Sequence, residues 1–172
     1  MHQASIPMSD APQAFARMLA TDIAAVSGVA RPAGVTIGMH VCRGNQSSMW
    51  MGEGDYEPIA AEMFASLPVD RFLLEYDNDR AGGFDPLRFM PAGAVAVLGL
   101  VSSKTPVPEP ADALARRIDE AAKYVPLGDL ALSPQCGFAS IAEGGNLLTA
   151  GEEFAKLRLV ADMARATWGA ND

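Results

Sequence analysis

The chain has 172 residues, 49% of them hydrophobic, and its 13 basic and 21 acidic side chains give a net charge of −8. That length and apolar content suit one domain with a core, so residues 1–172 are expected to fold as a single unit. The acidic balance disfavours nucleic acid. No apolar run nears the roughly 18 residues of a membrane span, and the start MHQASIPMSD lacks a leader's basic and apolar regions, so a cytoplasmic setting is expected, with Cys42 and Cys136 as thiols or thiolates.

Apolar residues recur at helical spacing over residues 10–27. Asp10 is placed to cap this helix, Pro12 falls in its first turn, and Phe15, Met18, Leu19, Ile23 and Val26 share one face. A β-branched run predicts a first strand at 35–42. A second helix over 56–66 presents Ile59, Met63 and Phe64, and Pro68 separates it from a strand at 69–76. The run Val95-Ala96-Val97-Leu98-Gly99-Leu100-Val101 predicts a third strand. A proline-rich loop follows, then a helix over 110–124 with Leu114, Ile118, Ala121 and Val125 in register. A fourth strand is predicted at 130–136. Thr149 and Glu152 have capping-box spacing and open a last helix expected to bury Phe154, Leu157, Val160, Ala164 and Trp168. Alternating strand and helix patterns are the signature of βα units on a parallel sheet. The expected class is α/β, a (βα)4 half of a TIM-type barrel.

Three of the four strand patterns close on side chains that bind metals. His40 and Cys42 end the first, Glu75 the second and Cys136 the fourth. Residues two apart in a strand point to the same face, so His40 and Cys42 can share one ion. Functional groups in parallel α/β architectures gather at the carboxyl ends of strands, where these sit. Asp77 and Asp79 lie near enough in sequence to supply the carboxylate in place of Glu75. Two thiolates, an imidazole and a carboxylate suit Zn(II), and the Cys-x-x-Cys knuckles of structural zinc sites are absent. A thiol bound to zinc loses its proton near neutral pH and remains a nucleophile, so the pattern points to thiolate activation. Arg43 and Asn45 follow the first strand, and Ser102, Ser103 and Lys104 follow the third. Arg43, Asn45, Ser102 and Lys104 are therefore candidate substrate contacts at the same rim, while Asp77, Asp79 and Arg80 read equally well as a surface charge cluster.

The segments GMHVCRGN, RFLLEYDNDRAG and LALSPQCGFAS resemble, in order and spacing, the zinc-binding motifs of the cobalamin-independent methionine synthase family. GLVSSKTP and EEFAKLRLVADMARATWG resemble other parts of the last third of that family, and the likeness runs over residues 35–168. The resemblance implies Zn(II) held by His40, Cys42, Glu75 and Cys136, with Glu75 preferred as the carboxylate. It also implies a methyltransferase in methionine biosynthesis that acts on the thiol of homocysteine, or on another small thiol, with a methyl-folate or corrinoid donor. Family catalytic domains are expected to be complete eight-stranded barrels of about 250 residues. Four strands correspond to the carboxyl-terminal half, so a homo-oligomer or a partner half-barrel is expected. The alternative expectation is a zinc-binding remnant or subunit that is inactive without a second half-barrel.

Overall fold

The computed structural model describes residues 11–45, 47–50, 52–139 and 147–169; the expected cap Asp10 lies outside them. Among the described residues, β1 (Gly38–Val41), β2 (Arg71–Glu75), β3 (Val95–Val101) and β4 (Leu130–Pro134) form one sheet in chain order. Each neighbouring pair is parallel. Helix α1 (Ala11–Val26) precedes the sheet, α2 (Glu57–Ser66) joins β1 to β2, α3 (Ala111–Ala121) joins β3 to β4, and α4 (Ala150–Trp168) follows β4. The β2 to β3 connection uses two short 3₁₀ turns, Asp79–Ala81 and Asp85–Phe89. This is the α/β architecture expected of half a TIM-type barrel.

One sheet face builds the core. Phe72, Leu74 and Tyr76 around β2 alternate with inward neighbours, as do Ala96, Leu98 and Leu100 of β3, and they join Phe64, Met63, Leu114 and Ile118 from the helices in one buried cluster. Phe64 meets Phe72 edge-on, with ring centroids 4.9 Å apart. Burying side chains of this size stabilises the fold by about 1.5–3 kcal/mol each. The opposite face carries, in register, the row His40, Leu73, Val97, Ala131 and beyond it the row Glu75, Gly99, Ser133.

Three strands are shorter than predicted, β2 by losing residues 69–70 and 76. β1 begins at Gly38, not residue 35, because its partner β2 begins at Arg71, opposite Gly38. Before that point the Ile37 N–H is taken by the Asp70 carboxylate at 2.7 Å. β4 ends at Pro134, which has no N–H to continue the ladder. Pairing with β3 shifts register between Gly99 and Val101.

The α4 capping box forms as expected, with Thr149 and Glu152 each accepting the other's backbone N–H. Its buried stripe differs from the expected one. Phe154 and Leu157 are 66% and 44% exposed, while Lys156 and Met163 are buried and Val160 and Trp168 pack partly against the core. Apolar spacing ranks a lysine as outward-facing, whereas the Lys156 ammonium is paired with the Val107 carbonyl and the Glu109 carboxylate, which lets this face of the helix turn inward. Met18 of α1, expected to be buried, is likewise 62% exposed.

Candidate metal centre

The four strand-end residues converge. His40 lies in β1, Cys42 just past it, Glu75 at the end of β2, and Cys136 two residues past β4. One donor atom from each lies within 4.8 Å of all the others. The Cys42 and Cys136 sulfurs are 3.9 Å apart, and His40 Nε2 is 3.6 Å from Glu75 Oε1. Two thiolates on one tetrahedral zinc at about 2.3 Å stand roughly 3.8 Å apart, so the observed spacing fits a shared ion. Asp77 and Asp79 are not in this group. Asp77 accepts the Ser102 hydroxyl at 2.9 Å and faces Arg80 at 3.7 Å.

Glu75 is fully buried. Its Oε1 accepts the Arg43 N–H at 3.0 Å, whereas Oε2 has no hydrogen-bond partner among the described residues. A buried carboxylate oxygen left without a donor is costly. A cation at the cluster would satisfy it, and this orphaned oxygen together with the soft sulfur pair makes the residues present fit a zinc ion. Tyr56, itself buried, clamps the Glu75 backbone: its hydroxyl accepts the Glu75 N–H at 2.9 Å. Cys42 is exposed as a residue, yet desolvation of its thiol pushes the pKa up to about 11. The Gly44 N–H partly opposes this, and the neighbouring Cys136 and Glu75 add to it. Binding a metal here therefore displaces a proton from Cys42.

The candidate substrate residues have distinct surroundings. The Arg43 side chain turns away to the loop carbonyls of Gly54 and Arg80 and lies 4.2 Å over the Tyr56 ring, so its backbone is what reaches the cluster. Asn45 donates to the Gly137 carbonyl at 3.0 Å and approaches the Ser103 hydroxyl at 3.5 Å, linking the loops after β1, β3 and β4. Ser102 is tied to Asp77. Lys104, only 7% exposed, brings Nζ to 4.0 Å from Glu75 Oε2, and that nitrogen makes no hydrogen bond among the described residues. A cavity of about 260 Å³ beside the cluster is lined by His40, Leu73, Ser133, Gln135, Cys136 and others.

No protein-family model matches the chain. It is 50% identical over 139 residues to the uncharacterized protein YxjH of Bacillus subtilis (strain 168), a match covering 80% of this chain and 37% of that protein. YxjG of the same organism is 49% identical over 139 residues, covering 80% and 36%. The chain thus spans little more than a third of the curated relatives it matches. Among solved structures, a candidate vitamin-B12-independent methionine synthase from Listeria monocytogenes superposes with a TM-score of 0.61 at 40% identity, over 81% of this chain and 37% of that one. Over that third of the Listeria protein's length, its structure is what the chain resembles. A B12-independent methionine synthase from Shewanella sp. W3-18-1, solved in complex with selenomethionine, superposes with a TM-score of 0.68 over 88% of this chain and 44% of that one; at 19% identity it supports the fold alone.

Several residues that support the cluster carry no sequence pattern that would single them out. Tyr56 reads as an ordinary aromatic at a helix start. Gln135 is buried beside Cys136 and donates to the Ser103 hydroxyl at 2.6 Å. Its position next to a ligand was the available signal. Among the described residues no helix is long and apolar enough to cross a membrane.

Proposed function

We propose that this chain, acting as one domain in the cytoplasm, is the zinc-holding part of a methyltransferase that moves a methyl group from a methyl-folate or corrinoid donor to the homocysteine thiol in methionine biosynthesis. His40, Cys42, Glu75 and Cys136 would hold Zn(II). The observation that carries this reading is the convergence of four donor atoms within 4.8 Å. Zinc bound there supplies Lewis acidity that keeps a substrate sulfur as thiolate near neutral pH.

The protein's own groups then do mostly positioning, since a thiolate needs no further base to attack a methyl carbon. The Arg43 N–H holds Glu75 Oε1, which lies 3.6 Å from His40 Nε2, while Oε2 accepts no hydrogen bond among the described residues and faces Lys104 Nζ at 4.0 Å. Lys104 places a buried positive charge beside a site rich in anionic ligands. Leu73 narrows the adjoining cavity with an apolar wall. Arg43, Asn45, Ser102 and Lys104 are proposed to frame the substrate, with Lys104 offering the unpartnered donor.

Homocysteine added to the zinc-loaded protein is expected to release protons near neutral pH and to add a sulfur to the metal's first shell, read by X-ray absorption at the zinc edge. A spectrum unchanged at saturating homocysteine would mean a closed, structural site.

The open sheet edges favour a second reading, a zinc-binding subunit that is inactive until a second half-barrel joins it. β1 and β4 are each paired on one side only among the described residues. A groove of about 730 Å³ runs along β4 and α4, lined in part by Leu130, Leu132, Ala164 and Trp168. Unpaired edges beside apolar surface favour association. Sedimentation of the purified chain is expected to show a dimer or larger species, and a compact monomer that unfolds cooperatively at dilution would overturn this reading.

A further inference from the structure

Lys156 has no exposed surface, although it is a lysine on the last helix of the chain. Its Nζ donates to the Val107 carbonyl at 2.8 Å and lies 3.1 Å from both carboxylate oxygens of Glu109. Glu109 Oε1 in turn accepts the Ser102 N–H at 2.8 Å. One ammonium on α4 therefore fastens both ends of the β3 to α3 loop, directly at Val107 and Glu109 and through Glu109 at Ser102. Ser103 and Lys104 lie between these fixed points. The Ser103 hydroxyl receives Gln135, the neighbour of Cys136, and Lys104 approaches Glu75.

A buried ion pair adds little or nothing to stability relative to an apolar pair of similar volume, because both charges lose their hydration. Fixing a geometry is the better physical reason for this one. We propose that the Lys156–Glu109 ion pair is a positioning device for the metal centre. It holds the Ser102–Lys104 loop so that Glu75 and Cys136 are set before a metal arrives. Its geometry is independent of the zinc reading, while its consequence for metal affinity rests on that reading.

The test compares the intact chain with Lys156→Met/Glu109→Leu, which removes both charges together and leaves neither unpaired. Hydrogen exchange of the metal-free proteins is expected to show at least tenfold faster exchange of the Ser102 and Lys104 amides in the double variant, with the β2 and β3 ladders still protected. Zinc affinity, measured by competition with a chromophoric chelator, is expected to fall about tenfold, in the range usual for groups that orient metal ligands. Glu109→Gln keeps an acceptor for Ser102 and for Lys156 and should restore most of both signals. Should the double variant fail to fold, Glu109→Asp, one methylene shorter and unable to span Ser102 and Lys156 at once, is expected to give the same changes in smaller degree. Unchanged loop exchange in the variants overturns the positioning role, whatever the metal does. Faster exchange with unchanged zinc affinity overturns its link to the metal centre. A wild-type chain that takes up no zinc defeats the zinc reading and that link with it, while the exchange data still decide the role in the loop.

Discussion

Purified protein is expected to carry one zinc per chain, and the Cys42→Ser/Cys136→Ser double variant to carry essentially none. Zinc sites with thiolate ligands bind with roughly 10–16 kcal/mol near neutral pH. Losing both soft donors, whose sulfurs stand 3.9 Å apart, should remove at least about 4 kcal/mol, or about a thousandfold in affinity. The helices contribute no donors and should keep their circular dichroism. Acid weakens the wild-type site in a defined direction. The Cys42 thiol, pushed up to about 11, is almost wholly protonated near neutral pH and below, so its proton must leave when the metal binds. Apparent affinity should therefore fall about tenfold for each unit of pH lost, from this thiol alone. Equal zinc content in wild type and double variant, by elemental analysis, would defeat the assignment.

Gly99→Ala is expected to damage both the fold and the metal centre. Gly99 lies in β3 opposite Glu75, and a Cβ there would stand 2.7 Å from the Leu74 carbonyl oxygen and 2.7 Å from Gln135 Cα. Both are backbone atoms, so neither can swing aside as a side-chain tip would. Relief requires β4 to move off β3 just where the chain turns toward Cys136. Overpacking of this kind costs about 1–3 kcal/mol, or roughly 3–10 °C in melting temperature at this size. Zinc affinity should drop in the same variant because Cys136 is carried away from Cys42. A melting temperature and zinc affinity both equal to wild type would show that β4 yields without cost.

The residues of the cluster were legible because each closes an apolar strand run with a metal-binding type of side chain. His40, Cys42 and Cys136 stood out on that ground. The choice of Glu75 over Asp77 needed family likeness, and the fold then put Glu75 in the cluster while Asp77 turned to Ser102 and Arg80. β3 was legible to the residue because both its faces are buried and its apolar run is unbroken. β1 was not, because its extent depends on where β2 begins. Tyr56 was hidden for a similar reason: its hydroxyl serves a backbone group 19 residues away, a pairing that exists only after folding. Lys156 defeated periodicity outright, since its burial depends on Glu109, a partner 47 residues distant.

Along a flat sheet, three interstrand spacings of about 4.8 Å would hold the first and fourth strands roughly 14 Å apart. Yet the sulfurs that follow β1 and β4 approach to 3.9 Å. The segments that leave the two outer strands at Cys42 and Cys136 therefore reach toward each other across the carboxyl end of the sheet. On the zinc reading, an ion held between these thiols would tie the two outer strands together, so that site occupancy would be coupled to the distance between those strands.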